Sequence, residues 1–414
     1  MMERSKCMKM PKIRFNDFKN EWKKEKLCNI VSRITRKNKN LESHTPLTIS
    51  AIEGLVSQLT YFNNIVASSN ISGYYLIKNG EFAYNKSYSN GFPYGSIKRL
   101  DKFDMGVLST LYIVFALNKQ NTSILSDYLV LFFNTTLWYH EVAKRAEEGA
   151  RNHGLLNISA DDFFDINIIY PKDLLEQQKI ASYFQKLESL IQTTSKKLAT
   201  LKRIKAASLQ SMFPQEGETV PKVRFKEFEG EWEEKSFSAL YKKSIIKNDL
   251  TFGTDKIISV ANMYYLTNVN VSDLEYLKTY NIMKLGDIAF EGNKSKRFLH
   301  GRFVENTIGD GIVSHVFVVF HPISAEHDIN YWKYAINNEN IMRNVLIRCT
   351  KSSTMMTDLV VDDFLKETIL VPTYAEQQKI GAYFRNLDRQ ISLQTQRLEK
   401  LKQIKAACLD KMFV

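Results

Sequence analysis

A chain of 414 residues with 44% hydrophobic and 12% aromatic content is long enough for two packed globular units, and this composition excludes fibrous and disordered classes. A formal net charge of +12 fits a polyanionic partner without naming one, and four cysteines (Cys7, Cys28, Cys349, Cys408) with no CxxC pair read as reduced thiols. The opening MMERSKCMKMPKIRF lacks an apolar core, and no apolar run nears the roughly 20 residues of a membrane span, so a cytoplasmic protein is expected.

In chain order, the first marked element is PKIRFNDFKNEW from Pro11. It returns as PKVRFKEFEGEW from Pro221, with seven identities in twelve positions. Residues 45–170 then mix strand-like and helical runs. YYLIKNGEFAYNKS and VLSTLYIVFAL read as strands around turns, and SDYLVLFFNTTLWYHEVAKRA reads as helix. FFDINIIYP, from Phe163, reads as a strand ended by proline.

Next comes EQQKIASYFQKLESLIQTTSKKLATLKRIKAASLQSMF, Glu176 to Phe213. It aligns without gaps on Glu376 to Phe413, and 19 of 38 positions are identical. Unrelated sequences would share roughly two or three. Ile180, Phe184, Leu187, Ile191, Thr194, Leu198, Leu201, Lys205, Ser208 and Met212 step by four and three in alternation. Ile380, Phe384, Leu387, Ile391, Gln394, Leu398, Leu401, Lys405, Cys408 and Met412 do the same. This is a heptad seam, and it predicts two long helices of roughly 58 Å. If each helix packed only on its own domain, so long a narrow stripe would not be needed. An antiparallel pair is the economical alternative. FPQEGETVPKVRF between the halves reads as a linker.

The second insert repeats the order of the first only faintly. YNIMKLGDIAFEGNKS answers the first strand run, GIVSHVFVVFHP the second, and FLKETILVP the proline-ended strand. The frame is duplicated, while the loops differ. Two loops in each insert combine Lys and Arg with Ser, Asn, Gly and aromatics, the chemistry of phosphate and base-edge contact. Their candidate residues are Lys86, Ser87, Tyr88, Lys98, Arg99, Arg145, Arg151 and Asn152 in the first insert. In the second they are Lys294, Lys296, Arg297, Arg302, Arg348, Lys351, Ser352 and Ser353. Any one of these taken alone reads as a solvated surface charge; the weight lies in their matching places. Residues 174–212 and 374–412 hold +5 and +4 of the total charge, leaving only +3 elsewhere. The helices therefore face either an acidic partner subunit or passing DNA.

Catalytic patterns are missing from the sequence. There is no GxxxxGK[ST] loop, no Asn/Asp-Pro-Pro-aromatic tetrapeptide, no HExxH and no paired-cysteine zinc pattern. Asp161–Asp162 and Asp362–Asp363 precede phenylalanines and read as helix starts rather than a metal site.

PK[IV]RF…EW, an α/β insert, a proline-ended strand and EQQKI opening a long helix, all in duplicate, resemble the specificity subunit of type I restriction–modification enzymes. The resemblance covers nearly the whole chain. It implies an α/β fold with two similar target recognition domains and two conserved helices paired as an antiparallel coiled coil. The expected boundaries are 1–173 and 221–373 for the recognition domains, 174–213 and 374–414 for the spacer helices, and 214–220 for the linker. It further implies a non-catalytic chain that reads a bipartite, asymmetric site in double-stranded DNA. Two modification subunits and the restriction subunits would join it, directing adenine methylation or ATP-dependent restriction. S-adenosylmethionine, ATP and Mg²⁺ would then be bound by those partners, with no cofactor or metal in this chain. The rivals are a twin-domain scaffold without a DNA role and a self-contained nuclease or methylase.

Overall fold

The computed structural model describes residues 10–120, 122–146, 156–267, 269, 274–352 and 356–414. These form two compact units. The first comprises the described residues up to Thr193 together with Leu398–Val414, and the second comprises Thr194–Arg397.

The first unit opens with β1 (Lys23–Lys26), β2 (Val31–Arg33), β3 (Leu47–Ser50), β4 (Gly54–Ser57) and α1 (Gln58–Phe62). It continues through β5 (Tyr75–Lys78), β6 (Phe82–Asn85), β7 (Ser96–Arg99), β8 (Met105–Leu108) and β9 (Ile113–Leu117). Then come α2 (Ser126–Phe133), α3 (Leu137–Ala143), α4 (Ala160–Phe164), β10 (Asn167–Tyr170) and the long α5 (Leu174–Ser211). The second unit has β11 (Glu233–Ser236), α6 (Phe237–Leu240), β12 (Tyr241–Lys243), β13 (Ile258–Ser259), β14 (Tyr264–Tyr265) and β15 (Asn281–Met283). β16 (Ile288–Glu291), β17 (Arg302–Glu305), β18 (Gly311–Val313), β19 (Val318–Pro322), α7 (Ile329–Ala335) and α8 (Glu339–Cys349) follow. It ends with β20 (Thr350–Ser352), β21 (Thr357–Leu359), α9 (Val361–Lys366), β22 (Thr368–Val371) and the long α10 (Tyr374–Lys411).

The two units share one plan. Each has an antiparallel four-stranded sheet, β2-β9-β6-β7 in the first and β12-β19-β16-β17 in the second. Strands alternate their faces, so one strand serves two cores. Phe82, Tyr84 and Phe115 enter the helix-side core with Trp138 and Phe163, while Ala83 and Val114 face Leu47, Ile77 and Leu108. The second unit does the same with Phe290, Phe303 and Phe320 on one side and Ala289, Val304 and Val319 on the other. The strand that enters each unit pairs with the one that leaves it, β1 with β10 and β11 with β22.

α5 and α10 have 38 residues each and are divided between the units. Within the first unit Lys405 Nζ donates to Glu188 at 2.6 Å, and Tyr183 Oη lies 3.4 Å from Cys408 Sγ. Within the second, Lys205 Nζ donates to Asp388 at 2.5 Å, and Ser208 meets Tyr383 Oη at 2.9 Å. Numbers rise on one helix as they fall on the other, so the segments run antiparallel in each unit. Every seam position from Ile180 to Met212 and from Ile380 to Met412 is buried or half-buried.

The two repeated motifs meet. Arg14 donates from Nε and Nη2 to Glu176 at 2.7 and 2.8 Å, and Arg224 does the same to Glu376 at 2.8 and 2.8 Å. Both carboxylates are almost wholly buried. The bidentate fork therefore fixes the start of each long helix against the chain that enters its unit. Gln177 donates to the Pro171 carbonyl and accepts from Leu125 N at 2.8 Å. Gln377 does likewise with Pro372 and Asp328 N. Lys179 pairs with Asp17, and Lys379 with Glu227. The phrase EQQK is thus a set of latches. Among the described residues no helix is long and apolar enough to cross a membrane.

Candidate nucleic-acid interface

In both units a loop joins the third and fourth sheet strands, β6 to β7 and β16 to β17. The two loops close in the same way. Gly95 (φ +79°) faces the Asn85 carbonyl, where a Cβ would lie 2.0 Å away. Gly301 (φ +73°) faces the Glu291 carbonyl, where a Cβ would lie 2.7 Å away. The left-handed backbone and the close approach both require glycine at the neck. Matched necks then present unmatched side chains.

The second-unit loop meets the β20–β21 hairpin. Asn293 bridges to Met356, Thr357 N donates to the Gly292 carbonyl at 2.8 Å, and Lys294 Nζ donates to Ser352 Oγ at 2.6 Å. Lys294, Lys296, Arg297, Lys351 and Ser352 therefore share one exposed surface. The Arg297 guanidinium lies over the Phe298 ring at 5.1 Å, and no ion pair holds Lys296, Arg297 or Lys351 among the described residues. In the first unit the Lys86 loop meets the segment after the second candidate loop. Leu156 N donates to the Lys86 carbonyl at 3.0 Å, and Lys86 Nζ donates to the Ile158 carbonyl at 3.3 Å. Ser87 N donates to Asn85 Oδ1, and Tyr88 is exposed beside it. Arg151, Asn152 and Ser353 lie outside the described residues.

The other candidates sit in internal ion pairs or hydrogen bonds. Arg99 joins Asp101 and Asp127 at 2.6 and 2.8 Å. Arg302 Nε reaches Glu291 at 2.6 Å. Arg145 pairs with Glu141 and Asp165, and Arg348 with Glu367, so these two arginines brace equivalent helix ends. Lys98 donates to Asn134 Oδ1 at 2.9 Å inside a cleft of about 560 Å³ between β7, the α2–α3 corner and the long helices. Burial pushes the Lys98 ammonium down to about 8, and Lys405 adds repulsion.

A buried acid–histidine pair lies in the second unit, where His327 Nε2 is 3.2 Å from Glu305 Oε1. Burial raises the Glu305 carboxyl well above its usual range and lowers His327 to about 4, so burial favours the neutral form of each. Their side chains are 0% and 9% exposed, which keeps a substrate from either, and His327 stacks on Trp332. No group of three His, Cys, Asp or Glu suited to a metal occurs among the described residues.

Sequence reasoning missed the Arg14–Glu176 and Arg224–Glu376 clamps, which span 162 and 152 residues. The repeated Arg and Glu were visible as letters; nothing local linked them.

Residues 229–403 match the family model described as "Type I restriction modification DNA specificity domain". No curated protein matches the chain. Among solved structures, a type I restriction-modification S subunit from M. genitalium is similar at 12% identity and a TM-score of 0.56, over 98% of this chain and 99% of that one. An HsdS subunit from Thermoanaerobacter tengcongensis matches at 14% identity and 0.47, over 95% and 96%. Residues 229–403 are thus similar to the type I restriction modification DNA specificity domain, and the chain as a whole has the fold of a solved structure described as a type I restriction-modification S subunit.

Proposed function

We propose that the chain is the DNA-recognition subunit of a type I restriction–modification enzyme, each unit reading one half of a bipartite, asymmetric target. In this reading residues 1–173 and 221–373 are the recognition domains, and 174–213 and 374–414 are the spacer helices. The helices set the gap between half-sites and dock two modification subunits. Restriction subunits complete the assembly, and methyl transfer and ATP hydrolysis belong to the partners. The observation that carries this is the pair of loops on identical glycine necks with different side chains. A common frame with divergent contact residues is what two readers of different sequences need.

Electrostatics tests the site. With modification subunits bound, replacing Lys296, Arg297 and Lys351 together by glutamine should weaken binding to double-stranded DNA of every sequence. The slope of log affinity against log salt should become shallower by about 0.9 for each phosphate no longer neutralised. Fluorescence anisotropy over a salt series reads this directly. An unchanged slope removes this surface from the DNA, and binding of partners that ignores salt throughout supports the scaffold instead.

A further inference from the structure

We infer that Asn262, at the tip of the β13–β14 hairpin, is a base-reading residue of the second unit, placed beside the loop that carries Arg297. The inference rests on the reading of that unit as a DNA reader.

The tip is fixed from beneath. Ile258 pairs with Tyr265 and Ser259 with Tyr264. Val260 is buried with Met283, Ala289 and Val319. The Ser259 carbonyl accepts from Asn262 N at 3.3 Å and from Met263 N at 2.8 Å, which closes the turn. Met263 carries the chain through the left-handed region at φ 48°. Strain of this kind persists only where its surroundings impose it, and it gathers at ligand-contacting sites.

The turn does not need an asparagine. Asparagine serves turns by taking the left-handed position itself or by bonding its side chain to nearby backbone. Here Met263 takes that position, and the exposed Asn262 amide makes no side-chain hydrogen bond among the described residues. The amide is left for a partner.

Its neighbours select the occupant. Arg302, which follows the Gly301 neck, donates from Nη2 to the Ala261 carbonyl at 2.7 Å and from Nε to Glu291 at 2.6 Å. Its guanidinium lies 4.9 Å from the Phe298 ring, and that of Arg297 lies 5.1 Å from the same ring. One arginine thus ties the hairpin tip to the loop that carries Lys296 and Arg297. Asn262, Arg297 and Arg302 line a single cleft of about 780 Å³. Double-stranded DNA seated on Lys296 and Arg297 therefore passes Asn262. An asparagine amide offers one donor and one acceptor, the pair that adenine N7 and N6 require.

The first unit repeats this frame with other letters. Gly54 (φ +85°), paired with Ser50, takes the place of Met263, and Lys102 Nζ donates to the Glu53 carbonyl at 2.9 Å. That tip carries Ile52 and Glu53, and Ile52 is 88% exposed. A constant hold under different tip residues suits two readers of different half-sites. A partner protein present in two identical copies would need the same residues at both tips.

The test uses the full chain expressed with its modification subunits in a host otherwise lacking the system, read by modified-base sequencing. Asn262→Ala removes the amide, and Asn262→Asp keeps its shape without the donor. The side chain is exposed, so both variants should fold, which thermal melts check. The inference expects each to lose discrimination by about tenfold or more at one base pair of a single half-site, with the other half-site and the gap unchanged. An unchanged motif overturns it, and so does an unchanged motif with methylation lowered at every site, which assigns Asn262 to phosphate contact or to the fold. Relaxation of both half-sites also overturns it. Exchange of residues 221–373 as a block separates the two levels. If the block rewrites a half-site and the Asn262 variants do not, Asn262 alone falls; if the block changes nothing, the reading of the unit falls.

Discussion

Replacing Phe413 by alanine is expected to destabilise the first unit by about 3–5 kcal/mol, the range for emptying a buried phenylalanine site. Phe413 is 5% exposed, far in sequence from the core it completes. Its ring lies 6.3 Å from Trp22, 5.6 Å from Tyr128 and 6.1 Å from Phe184. Phe213 occupies the matching place in the second unit, 6.2 Å from Trp232, 5.8 Å from Tyr331 and 6.1 Å from Phe384. Backbone bonds repeat alongside: Ile13 N donates to the Lys411 carbonyl and Val223 N to the Ser211 carbonyl, both at 2.9 Å. Urea unfolding of the full chain, followed by limited proteolysis, should show Phe413→Ala opening the first unit and Phe213→Ala the second. An unchanged unfolding midpoint for Phe413→Ala would mean that the helix end contributes nothing to that core.

Arg224→Met is expected to cost about 3–5 kcal/mol, because it strands a buried carboxylate rather than merely deleting a favourable pair. Glu376 has a side-chain exposure of 1% and no other cation at comparable distance among the described residues. The double variant Arg224→Met/Glu376→Leu should regain most of the stability, since it leaves no charge to bury. If the double variant is as unstable as the single, the guanidinium's packing matters and its charge does not. Arg14 and Glu176 should behave alike in the first unit.

The parts of the fold legible in sequence were those with a local period. The heptad seam declared both long helices, because a stripe repeating every three and four residues needs no knowledge of its partner. Alternation around Phe82–Tyr84 and Ile288–Phe290 declared the sheet strands for the same reason. Tertiary pairing was not legible. Lys98, Arg99, Arg302, Arg145 and Arg348 look alike as letters, yet Asn134, Asp101, Glu291, Asp165 and Glu367 hold them within their own units. Composition records a charge but not its counter-charge.

Modified-base sequencing of a host genome with and without this chain, in the presence of its modification subunits, tests the central claim most directly. Two readers on one repeated frame predict an asymmetric motif of two short blocks separated by a fixed unspecified gap. Exchanging residues 1–173 should rewrite one block and leave the other block and the gap unchanged. A single continuous motif, or a palindrome, would contradict the two-reader account.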